Sequence, residues 1–178
     1  MITNTETLIR SKWRTGFILL LASCLLSACV SEKVRVVNKT QALQAQEEIP
    51  EHLLLDVGIR VFDPGIPEDE STWEKKNVYP AVRRAESRYV PYTLKDTMQR
   101  TAQWGSIWVV PRDSNGVDVS VSGEVLVSDG ETLALHVHVV DSTGRVWLDK
   151  EYSGAASKYS YHDELKLALD PFQNIYNQ

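Results

Sequence analysis

His136 and His138 stand two residues apart in a stretch that alternates apolar and polar side chains. On a strand that spacing projects both imidazoles from one face, an arrangement some metal sites use. No third ligand is close in sequence, so packed or solvated strand histidines are the expected state, and no metal is expected. Serine hydrolysis needs a base beside an aimed nucleophile. His52, His136, His138 and His162 supply the residue type for the base, but the chain has no Gly-x-Ser-x-Gly elbow and no phosphate-cradling glycine loop. Glu68-Asp69-Glu70 groups three carboxylates without the alternating ligands and turn glycine of a calcium loop, and reads as a solvated loop. No catalytic residue, and hence no enzyme, is expected.

Binding chemistry is better represented. Arg83, Arg84 and Arg88 form the chain's one basic cluster. Arg84 and Arg88, four apart, share a face of a helix and could grip a carboxylate of a partner protein or of a peptidoglycan stem. The competing reading is local salt bridging with Glu86 on a wet face. Trp73, in a polar loop, is the other candidate partner contact. Trp104, Trp108 and Trp147 are expected mostly in the core.

The chain has 178 residues, 43% hydrophobic and 24% charged, the proportions of an ordinary globular domain. Its net charge of -5 offers no basic excess to neutralise phosphates, which excludes nucleic acid as a partner class. Arg10, Lys12 and Arg14 precede the 13-residue apolar run Gly16 to Ala28, the layout of a signal peptide. A membrane-spanning helix wants about 20 such residues.

Leu26-Ser27-Ala28-Cys29 closes the run and resembles the lipobox of bacterial lipoproteins. The resemblance implies cleavage after Ala28 and covalent diacylglycerol plus an N-acyl chain on Cys29, with no other cofactor. Leu21-Ala22-Ser23-Cys24 fits the same pattern, but cutting there would leave only eight residues of apolar run and put Leu25 and Leu26 into the mature chain. An uncleaved anchor or a plain secretory signal is the other alternative. Val30, where an Asp would favour inner-membrane retention, implies the outer membrane, with the domain facing the periplasm. Loss of residues 1–28, with Arg10, Lys12, Arg14 and Glu6, leaves 150 residues at -7 and no cysteine but the acylated one, so no internal disulfide.

Three segments are expected: a signal peptide over 1–28, a lipidated Cys and flexible tether over 29–52, and one α/β domain over 53–178. The tether is too polar to bury a face of its own, carries helix formers from Gln41 to Glu48, and would reach about 70 Å if fully extended.

Within the domain, Leu53 to Phe62 reads as a buried strand with Val57, Ile59 and Val61 on one face. A helix is expected from Tyr79 to Tyr89, with Val82, Ala85 and Tyr89 as its stripe and Pro80 in its first turn. Val90-Pro91 should interrupt it. A second helical stretch, Tyr92 to Gln103, has Leu94, Met98 and Ala102 on one side and Gly105 where a C-cap belongs; the two stretches could also be one bent helix. The period then changes to 2. Ser106 to Pro111 is a short strand, followed by a turn at Asp113-Ser114-Asn115-Gly116. Val117, Val119, Val121, Val125 and Val127 line one face of the next strand. A hairpin at Ser128-Asp129-Gly130-Glu131 follows, then Leu133, Leu135, Val137 and Val139, and Ser142-Thr143-Gly144 leads to a third meander strand, Arg145 to Tyr152. Ser160 to Leu169 reads as a helix ended by Pro171. The fold class is therefore α/β (α+β): a small mixed sheet with a C-terminal antiparallel meander and one or two helices packed on one face.

This order of elements, with Gly123, Asp141, Gly144 and Trp147 in the meander, resembles the periplasmic domain of peptidoglycan-synthase-activating lipoproteins, the curli-secretion lipoprotein and the amino-terminal domain of TolB. Asp56 to Phe62 and Asn77 to Tyr89 more closely resemble a set of uncharacterised proteobacterial outer-membrane lipoproteins, which brings no function. Members of that set look longer at the C-terminus, which leaves open whether this chain is truncated. The first resemblance implies an adaptor or activator that binds another envelope protein or a peptidoglycan-linked component. An oligomeric subunit of a secretion or envelope assembly, or a periplasmic hydrolase, is the alternative; the oligomeric state stays open.

Overall fold

The computed structural model describes residues 40–111, 116–156 and 170–178, all within one compact unit, Arg35–Gln178. The signal segment, Cys24, Cys29, the turn residues 112–115, His162 and the expected helix over 160–169 lie outside the described residues.

Among the described residues five strands form one mixed sheet in the order β2-β1-β3-β4-β5. They are β1 (Val57–Arg60), β2 (Ile107–Val110), β3 (Val119–Ser128), β4 (Thr132–Asp141) and β5 (Val146–Ala155). β1 pairs in parallel with β2 and β3, while β3, β4 and β5 make the expected antiparallel meander. A long helix, α1 (Pro80–Thr101), crosses over between β1 and β2, and a short one, α2 (Gln173–Tyr176), packs near β5. The core is built from Val57, Ile59 and Phe62, the inner faces of β3 and β4, Val90 of α1, and Ile175 and Tyr176 of α2. The fold class is the one expected from the pattern.

Several details differ from the sequence reading. β1 stops at Arg60, so Phe62 turns into the core at 2% exposure and Val61 faces out at 37%. A bulge between Val125 and Val127 reverses the alternation at the end of β3. Val127 is therefore exposed and Ser128 buried. Residues 41–48 form no helical turns. Their backbone bonds go outward instead: Ala45 N–H donates to Thr101 O at 2.8 Å, and Leu43 O accepts from Gln103 Nε2 at 2.9 Å. Of the four tryptophans from Trp73 on, Trp104 packs against the core, Trp73 is half-buried in its loop, and Trp108 and Trp147 are nearly half exposed.

The helix runs straight through Val90-Pro91, so the two expected stretches are one helix of 22 residues. A proline inside a helix removes one N–H and frees the carbonyl four residues earlier. That carbonyl is Ser87 O, and it accepts the Phe62 N–H at 3.0 Å. The bond that proline deletes is thus replaced from β1's end. The helix closes at Ala102, in a left-handed conformation at φ 55, rather than at Gly105. Gly105 has another task, since a Cβ there would sit 2.5 Å from Asp56 Oδ1 and its N–H donates to Leu55 O at 2.9 Å.

Candidate functional site

Running through Pro91 decides which side of α1 is buried. The buried residues are Arg83, Ser87, Val90, Pro91, Thr97 and Thr101, with Leu94 and Met98 packed against the core. The expected stripe of Val82, Ala85 and Tyr89 is on the outside. Val82 is 45% exposed, and Tyr89 and Tyr92 are each 55% exposed. At about 100° per residue Val82, Ala85, Tyr89 and Tyr92 fall within one stripe about 80° wide. Tyr89 is anchored by its hydroxyl, which donates to Asp170 Oδ2 at 2.8 Å; burial and then that carboxylate raise its pKa.

The three arginines divide. Arg83 is 3% exposed and spends its guanidinium on the sheet, donating to Val125 O at 2.5 Å and Leu126 O at 3.0 Å. These carbonyls sit at the β3 bulge, where the ladder is interrupted. Desolvation lowers the Arg83 pKa against the pull of Glu86, Asp129 and Glu124, and its Nε is buried without a partner. Arg84 and Arg88 are exposed beside the apolar stripe. Among the described residues neither makes an ion pair, with Glu86 or any other acid.

Trp73 is half-buried and its indole N–H donates to Pro67 O at 2.9 Å, holding its own loop together. Asp69 of the acidic run caps a 3-10 turn, Glu70–Thr72, accepting from Ser71 Oγ at 2.6 Å and Ser71 N at 3.0 Å. Those bonds lower its pKa. His52 is exposed in a 3-10 turn. On the solvent side of the meander, His136 Nε2 lies 2.6 Å from Asp149 Oδ1 and His138 Nδ1 3.6 Å from Asp149 Oδ2. One cross-strand carboxylate thus spans both imidazoles. Among the described residues no three His, Cys, Asp or Glu side chains are placed to hold a metal.

Asp141 shows what the Asp-x-x-Gly-x-x-Trp pattern does. Its carboxylate accepts from Thr143 Oγ1 and N, from Arg145 N, and from Trp147 Nε1 at 2.8 Å. Led by the Thr143 hydroxyl, these bonds hold its pKa at about 2. Gly144, at φ 86, supplies the backbone conformation the turn needs. The motif is turn chemistry that pins an aromatic ring.

Between α1 and the inner face of the meander lies an apolar cavity of about 400 Å³, lined by Phe62, Leu94, Met98, Leu135, Trp147 and Tyr176 among others. Among the described residues no Asp, Glu, His or Cys side chain lines it. Burial raises the Tyr176 pKa. Sequence reading missed the cavity, because nothing in a single strand's alternation reports how far apart a helix and a sheet will stand.

No family model matches the chain, and no curated protein does. Among solved structures it is similar to a dodecamer of a PelC point variant from Paraburkholderia phytofirmans, with 13% identity, 82% of this chain and 93% of that chain covered, and a TM-score of 0.43. A match of that looseness carries neither function nor assembly to this chain.

Proposed function

We propose that this chain is an outer-membrane lipoprotein, acylated at Cys29, whose domain works in the periplasm by binding another component of the cell envelope as an adaptor or activator. The observation that carries the reading is the outer face of α1, where Tyr89 and Tyr92 stand exposed on the side that carries two arginines without ion partners among the described residues. Exposed aromatics with arginine are the residue types on which protein interfaces concentrate their energy. The anchor is supported by Leu26-Ser27-Ala28-Cys29 after the apolar run, and the outer membrane by Val30. Among the described residues no helix is long and apolar enough to cross a membrane.

The test is in-cell photocrosslinking of the full chain from Trp73, Arg84 and Glu131, with adducts identified by mass spectrometry. One dominant envelope protein is the expected result, and no protein adduct from any position overturns the reading. Labelling with a palmitate analogue should be lost in Cys29→Ser and kept in Cys24→Ser. Alanine at His136, His138 and His162 together should leave the cellular phenotype intact; its loss would favour a hydrolase.

A further inference from the structure

The partner of the α1 face can be described chemically. Arg84 and Arg88 lie one turn apart, about 6 Å along the axis, and flank the exposed stripe on one side. Both are exposed with no acid of the described residues paired to them, although the chain carries 24 Asp and Glu against 19 Lys and Arg. An acidic surface repels acidic partners generally, so two unpaired guanidinium groups mark the place where one is admitted. Guanidinium matches carboxylate in two-pronged geometry, and Tyr92 and Ala85, one turn to either side of Arg88, offer apolar area that bare carboxylates would not use.

We propose that the outer face of α1 docks an acidic amphipathic segment of a protein partner, with Arg84 and Arg88 holding two carboxylates about one helical turn apart and Ala85, Tyr89 and Tyr92 covering its apolar side. This rests on the binding-module reading above. Anionic lipid is the weaker occupant: a basic residue near such a surface contributes about 1 kcal/mol, and two of them work against a chain whose charge is -7 once residues 1–28 are removed. Glycan is disfavoured because the face is the outer side of a helix rather than a groove, with aliphatic Ala85 at its middle.

The test places a photoreactive residue at Tyr92 of the full chain in cells and sequences the crosslinked peptide, with Glu131 at the β3–β4 turn as the control position. The expected peptide carries two Asp or Glu residues three or four apart next to apolar residues. Its yield should fall at least about tenfold in Arg84→Glu/Arg88→Glu, since like charges face each other in that variant, and should recover when the partner's two acids become Lys. Circular dichroism of the variant checks that the helix persists. An adduct peptide lacking the acid pair, a yield unmoved by the double reversal, adducts to phospholipid only, or adducts only to a second copy of this chain would each overturn the proposal. If Trp73 or Glu131 captures one envelope protein while Tyr92 captures none, the face is wrong and the binding-module reading stands. If no position captures protein, both fall.

Discussion

Arg83 and Arg84 are neighbours in the chain and live in different surroundings. The inner face of α1 holds Arg83, Ser87, Thr97 and Thr101, polar groups buried because each finds a hydrogen-bond partner on the sheet or on the helix itself. The outer face holds Val82, Tyr89 and Tyr92, apolar groups left in water. Amphipathicity in the usual sense is therefore inverted over the first two turns of this helix, before Val90, Leu94 and Met98 take up the inner face. The lesson is that a polar residue goes inside when the sheet presents an acceptor it can satisfy, as the β3 bulge does for Arg83. An apolar face stays outside when the helix register has been fixed by other bonds.

The largest expected effect comes from removing the inner arginine. Arg83→Met leaves Val125 O and Leu126 O without their donor, and should lower stability by about 2–4 kcal/mol in urea denaturation. Arg84→Met in the same assay is the outer control. Equal, small shifts in the two variants would erase the distinction between the faces.

Pro91→Ala tests how the register is held. In an exposed helix interior, replacing proline by alanine gains about 3 kcal/mol. Here Ser87 O already has the Phe62 N–H, and Pro91 is buried, so a gain below about 1 kcal/mol is expected. A gain of the full size would mean that the Phe62 bond compensates nothing.

The outer face should be quiet in stability and loud in binding. Arg84→Glu/Arg88→Glu is expected to stay within about 0.5 kcal/mol of the parent, while partner capture falls. A hydrogen-bonded carboxylate at the surface supplies the smallest, purely local effect. Asp141 has its pKa lowered to about 2, so its contribution is present above its ordinary value of about 3.9 and is lost as pH falls from there through about 2. NMR titration should show Thr143, Arg145 and Trp147 N–H signals keeping their shifts at pH 4 and moving together near pH 2. Movement centred near pH 4 would show that these bonds do not hold the carboxylate charged.

The strands of the meander, the hairpin at Asp129-Gly130 and the helix start at Pro80 were legible because each depends on local chemistry: alternation, turn glycines and a fixed proline φ. Val127 and Val61 were misplaced because a bulge and an early strand end shift a period-2 pattern by one residue, which no residue type announces. The α1 face was partly legible. Read as one helix, the stretch puts Leu94 and Met98 in phase with Val90, Ser87 and Arg83, and out of phase with Val82, Ala85 and Tyr89. Splitting the stretch at Pro91 hides that phase.

By itself, then, the sequence determined the element types, their order, the acidic charge and the three arginines, since these follow from residue identity and short-range periodicity. Tertiary structure decided which arginine is buried and which two are presented. That choice depends on the Phe62 N–H reaching Ser87 O and on two bulge carbonyls meeting Arg83, contacts made between residues 25 to 43 positions apart in the chain.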